Sequence, residues 1–190
     1  MWEIFEGKAL EYDEWYDRNE EIFVKEVECL KKIVPEGLIL EVGVGTGRFA
    51  EKFSAIGIDA SLDMLKVAKR RVEVVRGDAN TLPFKSEVFD AVLLIVTICF
   101  LENPKKAVEE IRRVLKKGGY LIIGFVPKNS ALGKLYEEKG KRGHRFYSVA
   151  KFYTLEEIKE ILNKNFEIEQ ISGIDVISSG DFLCVKAKRT

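Results

Sequence analysis

A chain of 190 residues with 46% apolar and 33% charged side chains can bury a sizeable core, which excludes wholesale disorder. Its 31 Lys and Arg balance 31 Asp and Glu, so no global field recruits nucleic acid or an anionic membrane. The longest apolar run, residues 91–101, is shorter than the roughly 20 residues a bilayer-spanning helix needs.

The opening residues, MWEIFEGKAL, lack the cationic-then-apolar layout of a signal peptide. The three cysteines, Cys29, Cys99 and Cys184, are an odd number with no metal-ligand spacing. A cytoplasmic protein with reduced, buried thiols and no metal is expected. One glutamine and one histidine beside abundant Lys and Glu hint at a thermophilic source. Residues 3–34 read as helical, with Ile22, Phe23, Val27, Leu30, Ile33 and Val34 at helical spacing. The aromatic stretch at residues 12–18 is either a sheet flank or a lid. Pro35 and Gly37 break the helix, and residues 38–42 form a first strand.

Glu41 closes that strand, and Gly43, Gly45 and Gly47 follow at every second position. A short helix with Phe49 and Phe53 on one face leads to a brief second strand, 55–59, ending in Asp59. Ser61 is a good N-cap for a helix over 62–71, with Leu62, Leu65 and Ala68 or Lys69 inward. Residues 72–75 are a third strand. Residues 89–96 are apolar without alternation, as a central parallel strand covered on both faces should be. Asn103 and Pro104 open a helix whose Val108, Ile111 and Leu115 face inward, and Gly118-Gly119 end it before a fifth strand at 120–126. The regular alternation of strand and helix stops at Pro127, and residues 127–153 interleave basic and aromatic side chains. Thr154 and Glu157 form a capping box for a helix to about Asn163. Residues 166–171 and 181–188 are two strands forming an antiparallel pair. This order predicts an α/β, doubly wound, mostly parallel sheet with helices on both faces and an antiparallel edge, in a single domain.

Ligands in such sheets bind beyond the carboxyl ends of the strands, where Glu41, Asp59 and Asp78 stand. A dinucleotide site would want a glycine at position 48, which is Arg48, and Glu41 would repel a pyrophosphate. A ligand with a cationic centre and no phosphate suits this turn better.

Here the chain closely resembles the class I S-adenosylmethionine-dependent methyltransferases, in their small-molecule-type branch. Glu41-Val-Gly-Val-Gly-Thr-Gly47 matches the family's first motif, and Gly57-Ile-Asp59-Ala-Ser61 with Met64 its second. Gly77-Asp78-Ala79 with Leu82-Pro-Phe84 matches the third, Phe89-Asp90 the fourth, and Ile111 to Gly119 the segment before strand five. The resemblance implies a seven-stranded sheet in the order 3-2-1-4-5-7-6 with the last strand antiparallel. It implies S-adenosylmethionine as cofactor, without metal. The glycine turn approaches its methionyl part, Glu41 holds its amino end, and Asp59 accepts from the ribose hydroxyls. Ala60 and Met64 flank the adenine, Asp78 and the Ala79 N–H meet its edge, and Ile95 lines the methionyl side. Only eleven residues separate Gly47 from Asp59, fewer than is usual for the family, so the sheet flank beside strand two should be less well covered.

Methyl transfer from a sulfonium is an in-line displacement in which the protein supplies position and a dry pocket. A general base is optional, so no catalytic residue is assigned; His144, the lone histidine, is the one candidate. Residues 95–100, IVTICF, lack the Asn/Asp-Pro-Pro-aromatic run of enzymes that methylate base amines, and Cys99 follows Ile98 rather than a proline. Cys99 is expected to be a core thiol, and Asp90, at the wrong end of its strand, to be structural. Residues 127–153 are expected to close as a lid with the helical flank of residues 1–34, placing Tyr12, Tyr16, Arg18 and Tyr147 around a small-molecule acceptor. The alternatives are an RNA or protein acceptor, or a regulatory protein that binds S-adenosylmethionine without turnover.

Overall fold

Seven strands form one sheet in the computed structural model, which describes residues 2–190. They are β1 (Ile39–Val42), β2 (Ile56–Asp59), β3 (Val74–Arg76), β4 (Phe89–Ile95), β5 (Leu115–Phe125), β6 (Phe166–Ile174) and β7 (Phe182–Arg189). Their order is β3-β2-β1-β4-β5-β7-β6, with β1 to β5 parallel and β7 antiparallel to both its neighbours. This is the expected topology. The helices are α1 (Ala9–Arg18), α2 (Glu20–Lys31), α3 (Arg48–Phe53), α4 (Leu62–Ala68), α5 (Pro104–Val114), α6 (Ala131–Lys141) and α7 (Leu155–Leu162).

Alternate residues of β4 serve the two layers, which is why its sequence shows no polar alternation. Ala91, Leu93 and Ile95 pack with Phe23, Val27 and Leu30 of α2 and Phe49 of α3. Val92 and Leu94 pack with Val108 and Ile111 of α5 and Ile158 of α7. β3, at the sheet edge, has no fully buried residue, whereas Gly57 and Ile58 of its neighbour β2 are buried. Asp90 accepts hydrogen bonds from the Leu38 N–H and the Lys116 ammonium, each at 2.7 Å, and ties the strand ends remote from the glycine turn.

Several local expectations change. The helical N-terminal region is broken: a 3₁₀ turn at Trp2–Phe5 precedes Gly7 at φ +70°, and Asn19 separates α1 from α2. The Asn19 side-chain amide donates to the Trp15 carbonyl at 2.8 Å, the kind of local bond with which Asn competes with helix. In α4 the inward residues are Met64, Leu65, Val67 and Ala68, whereas Leu62 is 46% exposed. With the Ser61 hydroxyl accepting from Met64 N, the inward stripe runs 61, 64, 65, 68, and Leu62 falls beside it.

The helix α5 stops at Val114, ahead of Gly118-Gly119, because Leu115 is already paired with Phe89 in the sheet. The register then jumps, and pairing resumes at Tyr120 with Ala91. No helix is expected from the sequence within 127–153, yet α6 lies inside it. Ser130 caps it by accepting from Gly133 N at 3.0 Å, and Leu132 and Tyr136, four apart, face inward. Its Gly133 and Gly140 obscure the helical pattern. Gly133 is there for contact, since a Cβ would come within 2.1 Å of the Pro127 carbonyl oxygen. The Thr154–Glu157 capping box forms as expected.

Candidate functional site

A cavity of about 310 Å³ opens beyond the carboxyl ends of β1, β2 and β4. Of the ten residues expected around a cofactor, nine line it: Glu41, Gly43, Gly45, Asp59, Ala60, Met64, Asp78, Ala79 and Ile95. Gly47 does not. It sits at φ +85° before α3, where a Cβ would lie 3.2 Å from the Ala68 backbone, so it lets α3 and α4 approach each other.

The turn presents backbone to the cavity. Gly45 has φ +52°, and the nearest heavy atom to a Cβ built there is Tyr12 Cε1, 3.8 Å away across the space. Asp59 holds the turn in place: its Oδ2 accepts from Gly45 N and its Oδ1 from Ser61 N, both at 2.9 Å. Each carboxylate oxygen offers about two acceptor directions, so each keeps one for a ligand. Burial pushes the Asp59 carboxyl upward, against the backbone N–H groups of Ser61, Gly45 and Ala60. Thr97, two residues past β4, supports the turn, its hydroxyl 2.9 Å from the Ile95 carbonyl and 3.2 Å from that of Gly43.

Glu41 is 1% exposed, and its Oε2 has no hydrogen-bond partner among the described residues. Burial, with the nearby Asp59 charge adding to it, pushes its carboxyl well above the usual range. A buried carboxylate without a partner is costly unless a ligand neutralises it, and a cationic group is the ligand that would. Asp78 is exposed at the rim and accepts from Asn80 N at 2.8 Å.

The N-terminal segment roofs this cavity with Trp2, Phe5 and Tyr12. Its anchor is Asp13 on α1. Arg48 donates to Asp13 Oδ1 at 2.9 Å and Oδ2 at 2.8 Å, and Arg71 to the same oxygens at 3.2 and 3.0 Å. Burial pushes Asp13 up, but the hydrogen bonds from both guanidinium groups outweigh it and hold the carboxyl at about 2. Glu6 accepts from the Ser61 hydroxyl at 2.7 Å.

A second cavity, of about 160 Å³, shares Tyr12, Tyr16, Val96 and Phe100 with the first. Of the residues expected at an acceptor, Tyr12 and Tyr16 face both spaces, and Arg18 and Tyr147 face the second. His144 is exposed at its edge, stacked on Tyr147 with ring centroids 4.2 Å apart. Cys99 is not a core thiol. It stands half-buried in this wall, where burial pushes the thiol up to about 12, far from a nucleophilic thiolate. Cys29 and Cys184 are free and buried in the core. The roof of the first cavity meets the 127–153 segment, as Phe5 stacks on Phe146 at 5.2 Å and Arg145 donates to the Ile4 carbonyl at 3.0 Å.

Two features here escaped sequence reasoning. Val96, at the junction of the cavities, has φ +51°, a strained conformation for a β-branched residue. Glu26 of α2 lines the second cavity, is 4% exposed, and makes no hydrogen bond or ion pair with any described residue. Its position was readable: three residues after Phe23 and four before Leu30, it lies on the apolar stripe. Burial pushes its carboxyl up to about 8. Between the ordinary carboxylate value and about 8, the folded chain keeps a proton that the unfolded chain gives up. Stability should therefore fall as pH rises through that window, by about 1.4 kcal/mol per unit from this group. Glu26→Gln should remove that slope, as measured by urea midpoints of variant and wild type at pH 5 and pH 8.

Among the described residues no group of three potential metal ligands occurs, and no helix is long and apolar enough to cross a membrane. Residues 40–123 match a family model described as "Methyltransferase domain". The chain is 42% identical over 203 residues to an uncharacterized protein of Methanocaldococcus jannaschii, covering 98% of each. It is 39% identical over 163 residues to an uncharacterized protein of Mycobacterium tuberculosis, covering 81% of this chain and 56% of that one. A Thermotoga maritima crystal structure, described as "SAM-dependent methyltransferase, possible histamine N-methyltransferase", superposes with a TM-score of 0.93. It is 36% identical, with all of both chains covered.

Proposed function

Because the chain belongs to the class I S-adenosylmethionine-dependent methyltransferases, we propose that its larger cavity holds that cofactor and its smaller one a small-molecule methyl acceptor. The carrying observation is the pairing of two unmet acceptor sets in one cavity. Glu41 offers an unpartnered buried oxygen to a cation, and Asp59 keeps two free acceptor directions for a pair of hydroxyls. In this reading Glu41 takes the amino end, Asp59 the ribose, and Ala60, Met64, Asp78 and Ala79 the adenine. Gly43, Gly45 and Ile95 flank the methionyl part. The bound cofactor supplies an electrophilic methyl on a sulfonium.

The chain's own part is positioning and exclusion of water. Residues 1–34 and 127–153 act as lids of one catalytic domain spanning residues 1–190, and Phe5, Tyr12 and Phe146 form their seam. A small acceptor is favoured because the second cavity is narrow, aromatic and joined to the first. The Thermotoga relative's name points the same way, to a small molecule. His144, exposed at the edge, is a weaker candidate for proton transfer than a group in the wall.

The test is calorimetric titration of S-adenosylmethionine and S-adenosylhomocysteine, followed by tracing of labelled methyl into fractionated metabolites, RNA and protein. Absence of cofactor binding would overturn the reading, and label in RNA or protein would overturn the acceptor class. Glu41→Gln sharpens it. The variant should bind the cofactor about tenfold more weakly, the loss of one charge-assisted contact of about 1.4 kcal/mol. Its unliganded form should melt higher at neutral pH. Glu41 is raised, so its folded-state penalty grows as pH climbs above the ordinary carboxylate range, and glutamine removes that penalty.

A further inference from the structure

Resting on that reading, we propose that the smaller cavity takes a small arylalkylamine, with Glu26 binding its nitrogen and accepting the proton it must lose before methylation. Glu26 is the deeply buried carboxyl of this wall, 4% exposed. The other charged or titratable side chains with a place in it, Glu11, Arg18 and His144, are exposed, and the phenols and the Cys99 thiol are pushed upward by burial and stay neutral. A carboxyl left unpaired in an apolar wall is costly, and an entering ammonium removes that cost with a charge-assisted hydrogen bond.

The remaining wall suits the same ligand. Tyr12, Tyr16, Tyr136, Tyr147 and Phe152 surround the space, and aromatic faces attract a cation as well as an aryl ring. At about 160 Å³ the space is close to the roughly 150 Å³ apolar cavity that admits benzene, so one ring with a short arm is the right scale. A phenolate, thiolate or carboxylate acceptor would instead bring a negative charge into an apolar wall whose buried partner is another acid.

The step balances with these groups. In the empty site burial keeps Glu26 protonated, and the entering ammonium displaces that proton to solvent. The ammonium then passes one proton from nitrogen to a Glu26 carboxylate oxygen, leaving a neutral amine and a neutral carboxyl. The freed nitrogen lone pair forms the N–CH3 bond while the S–CH3 bond breaks, its electron pair staying on sulfur. The positive charge thereby moves from sulfur to nitrogen, and Glu26 keeps its proton when the product leaves, which restores the empty site. The carboxyl's value of about 8 suits this exchange, because an amine and this acid can share a proton near neutral pH.

The experiment pairs 2-phenylethylamine with its neutral isostere 2-phenylethanol, each titrated calorimetrically into full-length protein saturated with S-adenosylhomocysteine. The amine should bind at least tenfold more tightly than the alcohol. Glu26→Gln should cost the amine at least tenfold while leaving affinity for the alcohol and for S-adenosylhomocysteine within twofold, and Glu26→Asp should restore part of the loss. With labelled cofactor, only the amine should become methylated. Equal binding of amine and alcohol, no binding of either, or an equal loss for both ligands in Glu26→Gln would each overturn the proposal. Failure of the wild-type protein to bind S-adenosylhomocysteine would strike the prior reading of the larger cavity instead, so the two failures are distinguishable.

Discussion

Asp59→Ala is expected to weaken S-adenosylhomocysteine binding by a factor of 100 or more. Two hydrogen bonds from ribose hydroxyls to a carboxylate are each worth about 1.5–3 kcal/mol, and both would go. The loss is compounded inside the chain, because the same carboxylate holds Gly45 N and Ser61 N, each at 2.9 Å. Without it the glycine turn keeps the Gly43 and Val44 N–H bonds to the Ile58 carbonyl of β2 but loses its hold at Gly45, so the backbone at that glycine also loosens. Asp59→Asn separates the two contributions. Its one remaining oxygen can serve the turn or the ligand, and its affinity should fall between wild type and alanine. Calorimetry with S-adenosylhomocysteine measures all three. Wild-type affinity in Asp59→Ala would remove the ribose assignment altogether.

The parts of the site that were legible in the sequence are the ones made locally. A strand end, a glycine turn and the next helix start are contiguous, so Glu41, Gly43 and Gly45 had to share a crevice with whatever the fold placed beside them. Asp59 closes β2 and Asp78 stands two residues past the end of its parallel neighbour β3, and the ends of neighbouring parallel strands necessarily meet. Gly47 belongs to the same motif but faces Ala68, because which side of a turn a glycine opens depends on the helix packed against it. Glu26 lay on an apolar stripe yet reads as one more charge in a charged helix. Only the closing of residues 127–153 over α2 turns its position into a buried wall. The helix α6 was hidden by two glycines retained for close contacts, one with Pro127 and one with Tyr147, and such contacts are tertiary. The strain at Val96 is likewise invisible locally, since nothing in a valine's neighbours along the chain announces a positive φ.

Asp13→Ala is expected to destabilise the protein by about 3 kcal/mol, the low end for breaking a buried ion pair by removing one partner. Asp13 is 13% exposed and its partners Arg48 and Arg71 are 18% and 22% exposed, so both guanidinium groups would stay largely desolvated with their shared acceptor gone. The pH dependence identifies the cause. Folding holds the Asp13 carboxyl at about 2 against an unperturbed 3.8, so the unfolded chain takes up the proton first as pH falls. The contribution is therefore complete above about pH 4 and disappears as pH approaches 2, amounting to about 2 kcal/mol. Urea midpoints of wild type and Asp13→Asn should differ at pH 6 and converge toward pH 2.5; a gap that persists at low pH would assign the loss to packing alone. The consequence reaches the site, because α1 also carries Tyr12 and Tyr16, which stand where the two cavities join. Arg48 occupies the position where a dinucleotide fold would need glycine, and in this chain it grips the helix that roofs the cavity. Loss of that grip should raise the KM for the acceptor more than it changes cofactor affinity, since the glycine turn and Asp59 remain in place.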